Sequence, residues 1–391
     1  MDGVSIKITT TIKYLGVIID HKLNWADHIA YITDRTNHLF NTVSKVAKSK
    51  WGLSPAILST IYDSVFLPMI CYAAPVWAGC LGRVHIERKL RSAQRTALLC
   101  ICRAFSTSST TALQVNSGKM PIDLAISLAS KGWHVRKGHS ICLANQSSFT
   151  SYETNCHLSD LLPPFLRPQI KNQPLDHEDL TIYTDGSKSE ENVGSAFVVY
   201  QDGVECYCGT GHLASNCSAY QAELIAILMA IEWCNNYKSN NRINIFTDCR
   251  STIDAINYHL PKNPLVIKIQ ASIAASNNNF AISWIRGHAG LLGNERADFL
   301  AGEAASLSFN MCLYSLTPAS FIKHLLRTDA INTWQERWNN CHEGRTTWKF
   351  FPNVPTTNPT FDGHDTHLFT QFLTGHGGFN SYLCRFGVWS L

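Results

Sequence analysis

Hydrophobic side chains in the first third of the chain recur every three or four residues, which is the spacing of one face of an α-helix. This spacing predicts four helices, at residues 27–50, 55–67, 83–104 and 121–131. β-branched and aromatic residues predict a short strand at 13–19, and a Ser/Thr-rich stretch predicts a loop at 105–115. We therefore expect this part of the chain to be mainly helical.

The pattern changes at residue 180, where short apolar runs begin to alternate with amphipathic segments. Five strands are predicted, at 180–184, 193–200, 204–209, 243–247 and 280–285. Helices are predicted at 219–235, 251–259, 263–275 and 294–305. Gln201-Asp202-Gly203 predicts a hairpin turn, and Ser218 with Gln221 predicts a capping box. The order βββαβαβα implies an α/β fold with one mixed five-stranded sheet flanked by helices.

A polar stretch at residues 144–179 contains four prolines and predicts a domain boundary. The sequence therefore predicts four segments. They are a mainly helical region at 1–140, a linker at 141–179, the sheet domain at 180–306 and a C-terminal helical and loop tail at 307–391.

Charge is distributed unevenly along the 391 residues, of which 45% are hydrophobic and 16% charged. That composition excludes an intrinsically disordered chain. Residues 1–180 hold 19 Lys and Arg against 12 Asp and Glu, whereas residues 181–306 hold 8 against 12. A basic part beside an acidic part fits a protein that meets a polyanion with one and holds cations with the other. Ordinary surface variation explains the charges equally well.

The cysteines and the apolar segments bear on the cellular location. The 14 cysteines form no C-x-x-C pair, so a structural zinc site is not expected. The N-terminus lacks the pattern of a signal peptide. Residues 57–80 form the most apolar window, but Asp63, Pro68 and Pro75 favour a buried helix over a membrane span. We expect an intracellular protein with reduced thiols and no membrane partner; nucleus and cytoplasm are not distinguished.

Four acidic residues occupy positions where a carboxylate is unusual. Asp185 and Asp248 each follow a predicted strand, Glu223 lies in an otherwise apolar helix, and Asp298 lies near the start of the last predicted helix. If the first and fourth strands are adjacent and parallel, Asp185 and Asp248 emerge side by side at their carboxyl ends, where α/β sheets bind ligands. Clustered carboxylates need cations, and oxygen ligands favour Mg²⁺ or Mn²⁺.

Each acid also has an ordinary structural explanation. An Asp after a strand is commonly a turn or cap residue, and an acid in the first turns of a helix is favoured by the helix dipole. Glu223 alone could be a solvent-facing helix residue. Spacing alone does not bring the four residues together.

Five motifs together resemble the type 1 ribonuclease H family. They are Thr184-Asp185-Gly186-Ser187, Ala222-Glu223-Leu224, Phe246-Thr247-Asp248, Gly287-His288-Ala289-Gly290 and Gly293-Asn294-Glu295-Arg296-Ala297-Asp298. The resemblance covers residues 180–306 and implies hydrolysis of the RNA strand of an RNA–DNA hybrid with two Mg²⁺ ions, for which Mn²⁺ can substitute. It implies that Asp185, Glu223, Asp248 and Asp298 are catalytic metal ligands.

The resemblance also assigns a role to His288, as a mobile residue in proton transfer or product release. Histidine is the residue type that exchanges a proton near neutral pH, although a surface histidine is the plain alternative. Small or polar residues near the site are candidates to contact the hybrid through its backbone and 2′-hydroxyls. These candidates are Gly186, Ser187, Asn216 and Gln221.

Motifs outside residues 180–306 resemble reverse transcriptases of non-LTR retrotransposons. They are Lys13-Tyr14-Leu15-Gly16-Val17, Leu23-Asn24-Trp25, Ala74-Pro75-Val76-Trp77, Gln94-Arg95-Thr96 and Leu373-Thr374-Gly375-His376-Gly377. This resemblance implies that residues 1–140 are a thumb or connection-like region whose basic helix around 88–95 lies on a template–primer duplex. A solvated helix face explains that helix equally well. The remainder of such a reverse transcriptase is the expected protein partner.

The chain contains no Asp-Asp pair, which template-directed polymerisation usually requires. We therefore expect no polymerase activity from this polypeptide alone, and we expect a C-terminal portion of a mobile-element polyprotein. Two other functions stay open. One is a nucleic-acid-binding relic without catalysis, and the other is a structural connection module of a reverse transcriptase.

Overall fold

The computed structural model describes residues 9–46, 52–143, 146–149, 151–168, 170–189, 192–237, 240–306, 312–355 and 366–384. Its strands are β1 Thr11–Tyr14, β2 Val17–Asp20, β3 Ile141–Leu143, β4 Gln146–Phe149, β5 Leu180–Lys188, β6 Val193–Gln201, β7 Val204–Leu213, β8 Arg242–Thr247 and β9 Asn279–Trp284. Its helices are α1 Ala26–Val46, α2 Pro55–Ile61, α3 Leu67–Cys71, α4 Ala74–Trp77, α5 Val84–Cys102, α6 Thr110–Ser117, α7 Ile122–Arg136, α8 Ala219–Tyr237, α9 Arg250–Asn257, α10 Pro264–Ala274, α11 Leu292–Ser306, α12 Ala319–Asn340, α13 Arg345–Phe350, α14 Thr366–Thr374 and α15 Asn380–Leu383.

Two compact units divide the chain by their internal contacts. We call residues 1–134, 143–145 and 324–391 the helical unit, and residues 135–142 and 146–323 the sheet unit. These limits differ from the four segments expected from sequence. Residues 324–391 group with the N-terminal helices, because Thr370 donates to the carbonyl of Cys102 and the Thr107 and Tyr382 hydroxyls are hydrogen-bonded. The sequence-based domain limits stay predictions.

The sheet unit contains the predicted five-stranded mixed sheet, in the order β7-β6-β5-β8-β9. β5, β6 and β7 form antiparallel hairpins, whereas β8 and β9 run parallel to β5. The Asp202-Gly203 turn between β6 and β7 has positive φ at both residues, as a tight hairpin requires. The parallel strands are connected through α8, α9 and α10, and such connections between parallel strands are right-handed as a rule. The α/β fold class is therefore as predicted.

Side chains alternate between the two faces of this sheet, and each face is covered by helices. Leu180, Ile182 and Ile245 pack on one face with residues of α8, α9 and α10, including Leu224 and Ile269. The hydrophobic cluster on the opposite face contains fewer residues. There, Ala196 and Val198 of β6 pack against Ala297, Leu300 and Ala301 of α11. Strict two-residue alternation in buried strands produces this three-layer arrangement.

The helical unit has its own core, built mainly from α1 to α5. Ser54 caps α2 by accepting a hydrogen bond from the Ile57 N–H, and Pro55 lies in the first turn as predicted. A π-helical turn, Tyr62–Phe66, precedes Pro68 at the start of α3. A proline lacks the N–H that an α-helix would use, so a local change of helix type at this point has a covalent cause.

A buried glutamine joins several helices of this unit. The Gln94 side-chain amide donates to the Tyr62 hydroxyl and to the carbonyl of Met120, and its oxygen accepts from Gln114 and from the Ile122 N–H. A fully bonded amide costs little to bury and favours one arrangement of its neighbours. Gln94 is therefore a structural residue, although its sequence motif does not predict that role.

Two predictions for the helical unit were wrong in detail. The single strand expected at 13–19 is a hairpin of β1 and β2, because Leu15 and Gly16 both adopt positive φ and turn the chain. The loop expected at 105–115 contains α6, which Ser109 caps by accepting from the Ala112 N–H. A Ser/Thr-rich segment can cap a helix as readily as form a loop, so composition alone did not separate the two.

Within the described part of the chain, no single helix is long and apolar enough to cross a bilayer. One pair, Pro55–Cys71 with Ala74–Cys80, meets the length and composition requirements when taken together, but it bends by 45°. The thirteen cysteines whose side chains are described form no disulfide with one another. Four of them are buried, three are exposed and six are half-buried.

Candidate active site

Parallel pairing of β5 with β8 brings two aspartates to one edge of the sheet. Thr184 is paired with Thr247, and the pairing ends there. Asp185 directly follows Thr184, and Asp248 directly follows Thr247, so the two aspartates lie side by side, as the sequence predicted. β5 does not end at Asp185, however, because it continues to Lys188 through its pairing with β6. Asp185 is therefore held by regular sheet structure and not by a loop.

Close packing of α8 on β5 adds Glu223 to this edge. A Cβ at Gly186 would lie 2.7 Å from the carbonyl carbon of Ala222, and closer still to the backbone nitrogen of Glu223. Glycine is therefore the residue that allows helix and strand to approach this closely. Glu223 follows the capped first turn of α8, where the Ser218 hydroxyl accepts from the Gln221 N–H as predicted.

One carboxylate oxygen from each of Asp185, Glu223 and Asp248 lies within 4.8 Å of the others. Asp185 and Glu223 are buried, and Asp248 is half-buried. Three converging oxygen ligands of this kind suit a hard divalent cation such as Mg²⁺. Among the described residues, this is the one cluster of His, Cys, Asp or Glu side chains with such spacing.

Burial and mutual repulsion shift the ionisation of two of these groups. Burial raises the pKa of Asp185 to about 7, with the charges of Asp248 and Asp298 acting in the same direction. Burial likewise raises the pKa of Glu223 to about 9, assisted by Asp185 and Asp248. The Thr247 hydroxyl, 3.5 Å from Oε2 of Glu223, opposes that shift only weakly. Without a cation, the site therefore resists the full ionisation of its carboxyl groups, and a bound metal ion would favour their charged forms.

Neighbouring residues leave room for Asp248 and hold its backbone. A Cβ at Gly287 would lie 2.6 Å from Oδ2 of Asp248, so glycine there leaves the carboxylate its space. The Trp284 indole N–H donates to the carbonyl of Asp248 at 2.9 Å, and its ring is 51% exposed beside the site. Trp284 and the Thr247 contact were not predicted from the sequence, although Thr247 and Gly287 both belong to the motifs described there.

His288 and Asp298 form a second, more exposed pair at the same edge. Nδ1 of His288 lies 3.9 Å from Oδ2 of Asp298, and their side chains are 84% and 46% exposed. His288 has a φ of 52°, an uncommon conformation for a residue other than glycine. Asp298 lies outside the group of three carboxylates, yet its charge acts on Asp185. The four predicted ligands thus consist of a tight group of three with Asp298 beside it.

Residues 177–306 match the family model described as RNase H. This segment is an RNase H domain. The match begins just before β5 and ends with α11, so it covers the five-stranded sheet and all four carboxylates.

The RNase H domain is of the kind found in retrotransposon polyproteins. The chain is 33% identical over 138 residues to a retrovirus-related Pol polyprotein from type-1 retrotransposable element R1 4 of Nasonia vitripennis, covering 35% of each protein. It is 32% identical over 136 residues to the putative 115 kDa protein in type-1 retrotransposable element R1DM of Drosophila melanogaster, covering 35% of this chain and 13% of that protein. The matches therefore span about a third or less of these relatives.

A solved structure also matches the RNase H domain region. RNase H1 from the archaeon Halobacterium salinarum is 19% identical with a TM-score of 0.29, and the match covers 32% of this chain and 97% of that chain.

The four residues expected to contact substrate have different surroundings in the RNase H domain. Gln221 is buried, and its amide is bonded to Ser218 and to the carbonyl of Leu316, so it has no surface to offer. The Asn216 amide donates to the Thr317 hydroxyl, and Asn216 is half-buried. Gly186 packs against α8, as described above. Ser187 is half-buried next to Gly186 on β5 and keeps an accessible part.

Proposed function

We propose that the RNase H domain hydrolyses the RNA strand of RNA–DNA hybrids in a Mg²⁺-dependent reaction. The observation that carries the proposal is the convergence of Asp185, Glu223 and Asp248 at the sheet edge, with their oxygens within 4.8 Å of one another. The resemblance to RNase H domains in retrotransposon polyproteins supports the same reaction and substrate class.

Asp185, Glu223 and Asp248 would hold the cations, with Asp298 contributing from its more exposed position. When bound, two divalent ions supply an activated water and stabilise the leaving oxygen of a phosphodiester. The protein residues contribute position and charge. β5 and β8 fix the two aspartates, α8 fixes Glu223, and the raised pKa values of Asp185 and Glu223 reflect charge that cations would neutralise.

We assign proton exchange during the reaction or product release to His288. Its imidazole is exposed at the mouth of the site, and Asp298 lies 3.9 Å from Nδ1. A carboxylate at that position can orient the ring for proton exchange. The left-handed backbone at His288 directs the side chain from a turn and not from a helix or strand, which suits a residue that moves.

Substrate contacts are proposed for Ser187, Gly186 and Asn216, with Gln221 excluded by its burial. These residues would meet the sugar–phosphate backbone and the 2′-hydroxyls, which distinguish RNA from DNA without reading sequence. We further propose that the chain acts together with the remainder of a retrotransposon reverse transcriptase. The site of action would be intracellular because RNA–DNA hybrids form there; nucleus and cytoplasm stay open.

The proposal is tested with the full chain and a hybrid labelled on its RNA strand, with Mg²⁺ or with EDTA. We expect cleavage of only the RNA strand, dependent on Mg²⁺, and a loss of roughly 10³-fold in Asp248→Asn. Asp254→Asn is the matched control, because Asp254 is an exposed aspartate on the adjacent helix α9. A thermal shift on adding Mg²⁺, absent in Asp248→Asn, reports metal binding without relying on activity.

Other results would favour the remaining functions. A Mg²⁺-dependent thermal shift together with hybrid binding and no cleavage would replace the nuclease by a binding relic. Neither cleavage nor hybrid binding would leave a structural connection module. Equal activity in Asp248→Asn and wild type would overturn the assigned site.

A further inference from the structure

Trp284 occupies an unusual position for a tryptophan, at the exposed end of β9 beside the acidic site. Its side chain is 51% exposed, and it is the only exposed tryptophan among those whose side chains are described. Tryptophan is large and is highly buried on average, so an exposed ring next to a site needs an explanation. Its indole N–H donates to the main-chain carbonyl of Asp248 at 2.9 Å, which joins two residues 36 positions apart in the chain.

The three converging carboxylates are not supported equally by secondary structure. Asp185 lies within β5, whose pairing with β6 continues beyond that residue. Glu223 lies within helix α8. Asp248 has no comparable support, because the pairing of β8 with both of its neighbours ends at Thr247 and the chain then turns toward α9. Regular structure therefore fixes two of the carboxylates and leaves the third to other contacts.

The connection from β8 to α9 supplies only part of that support. Cys249 is the N-cap residue of α9 and makes no side-chain capping bond. The Cys249 N–H donates to Oγ1 of Thr247 at 3.1 Å, and the Thr252 hydroxyl donates to the Cys249 carbonyl at 2.6 Å. These bonds act on the residues beside Asp248. The bond from Trp284 acts on the peptide group of Asp248 itself.

The segment that begins at Trp284 meets Asp248 on two sides. Trp284 bonds its main chain, and a Cβ at Gly287 would lie 2.6 Å from its Oδ2, so this segment also bounds the carboxylate. Trp284 is itself held in the sheet, because it is paired with Thr247 and the Ile285 N–H donates to the Thr247 carbonyl at 3.0 Å. The end of β9 is therefore a fixed support from which Asp248 can be oriented.

We propose that Trp284 is a positioning residue for the metal site, and that its indole N–H raises the affinity for divalent cations by fixing the main chain of Asp248. A ligand that is oriented in advance does not have to be ordered when the cation binds. Loss of a contact that orients a metal ligand typically lowers metal affinity by about 10- to 100-fold. The inference rests on the proposed function, because it requires Asp248 to hold a cation.

The test titrates Mg²⁺ into the full chain and follows the thermal midpoint of wild type, Trp284→Phe and Trp233→Phe. Trp284→Phe keeps an aromatic ring and removes the N–H. Trp233→Phe is the matched control, because Trp233 is half-buried in the same unit but lies ten residues beyond Glu223 in α8, about 15 Å along the helix axis. The apparent dissociation constant for Mg²⁺ should rise about tenfold or more in Trp284→Phe and stay within about twofold of wild type in the control.

Two further measurements separate positioning from a merely structural role. At saturating Mg²⁺, hybrid cleavage by Trp284→Phe should return to within about threefold of wild type, because excess cation offsets weaker binding. Mg²⁺ should also change the tryptophan emission of wild type and of Trp233→Phe but not that of Trp284→Phe. The reason is that the Trp284 indole is bonded to the peptide group of a metal ligand.

A third variant separates the N–H from the ring. Trp284→Leu removes both, so it should lose the same Mg²⁺ affinity as Trp284→Phe if the N–H is what orients Asp248. Affinity that is kept in Trp284→Phe and lost in Trp284→Leu would assign the effect to packing of the ring and would overturn the role of the N–H.

Equal Mg²⁺ affinity in wild type and Trp284→Phe would also overturn the inference, and it would leave the proposed function intact. So would an equal loss in Trp233→Phe, because that result would indicate general destabilisation of the unit. If the wild type itself did not respond to Mg²⁺, the proposed metal site would fail and this inference would fail with it. The two failures are therefore distinguishable.

Discussion

The two charged sites of this chain are built in opposite ways. The acidic site buries Asp185 and Glu223 and draws its residues from β5, α8 and β8, which span more than sixty positions. The basic site is the arginine row of α5, which keeps Arg88 and Arg91 exposed on successive turns of one helix. A buried site can be precise but depends on the whole core. An exposed row of charges needs only a stable helix, and it is screened by salt.

The largest effect that this comparison predicts is at Gly186. Alanine there would place a methyl group against the backbone of α8, so we expect a loss of about 3 kcal/mol in the free energy of unfolding. Hybrid cleavage should fall with it, because α8 carries Glu223. Denaturant unfolding and the cleavage assay measure the two effects.

Gly302→Ala is the matched control for that substitution. A Cβ at Gly302 in α11 meets no atom within 4 Å, so alanine should stabilise the domain by about 0.5–1 kcal/mol. A Gly186→Ala variant as stable as wild type would contradict the view that close packing of helix and strand forms the acidic site.

The next effect concerns pH in the absence of metal. The pKa values of Asp185 and Glu223 are raised in the folded state to about 7 and about 9, so the folded protein binds more protons than the unfolded chain above pH 4.5. Their contribution to stability is therefore full at low pH and is lost as pH rises toward those values. In EDTA, we expect stability to fall between pH 5 and pH 8, by up to about 1.4 kcal/mol per pH unit for each group.

Glu223→Gln should reduce this pH dependence, and Mg²⁺ should reverse it in the wild type. Thermal unfolding at several pH values, with Mg²⁺ and with EDTA, measures both. Parallel curves for wild type and Glu223→Gln in EDTA would show that Glu223 does not titrate as its surroundings imply. A variant that carries Arg88→Gln and Arg91→Gln, both at exposed positions of α5, should follow the wild-type curve.

The smallest effect is expected at the exposed ion pair between Glu343 and Arg91. Glu343→Gln removes a weak, exposed ion pair with Arg91, so stability should change by less than about 0.5 kcal/mol. Hybrid affinity in EDTA should rise about twofold because a competing carboxylate is gone. Weaker binding in this variant would indicate that Glu343 orients Arg91 for its ligand.

Local patterns predicted most of the secondary structure. Apolar alternation located all five strands of the main sheet, and the helical spacing located α5 with errors of one or two residues at its ends. The misses had local causes. Positive φ at Leu15 and Gly16 made a hairpin from one predicted strand, and the Ser109 cap started a helix in a predicted loop.

The sequence likewise predicted the residues of the candidate site but not their arrangement. The motifs named Asp185, Glu223, Asp248, Asp298 and His288, and the structure brings all five to one edge of the sheet. Motifs did not predict that three carboxylates form the tight group while Asp298 stands beside His288. They also did not predict that Gln221, named as a substrate contact, is buried in the cap of α8.

The sequence by itself determined the element order, the residue types of the site and the row of arginines on α5, because each depends on neighbours within a few positions. Only the tertiary structure decided which carboxylates meet and why Gly186 and Gly287 must be glycine. Those features depend on strand register and helix packing between residues far apart in the chain. Burial follows from the same contacts, and burial is what raises the pKa values of Asp185 and Glu223.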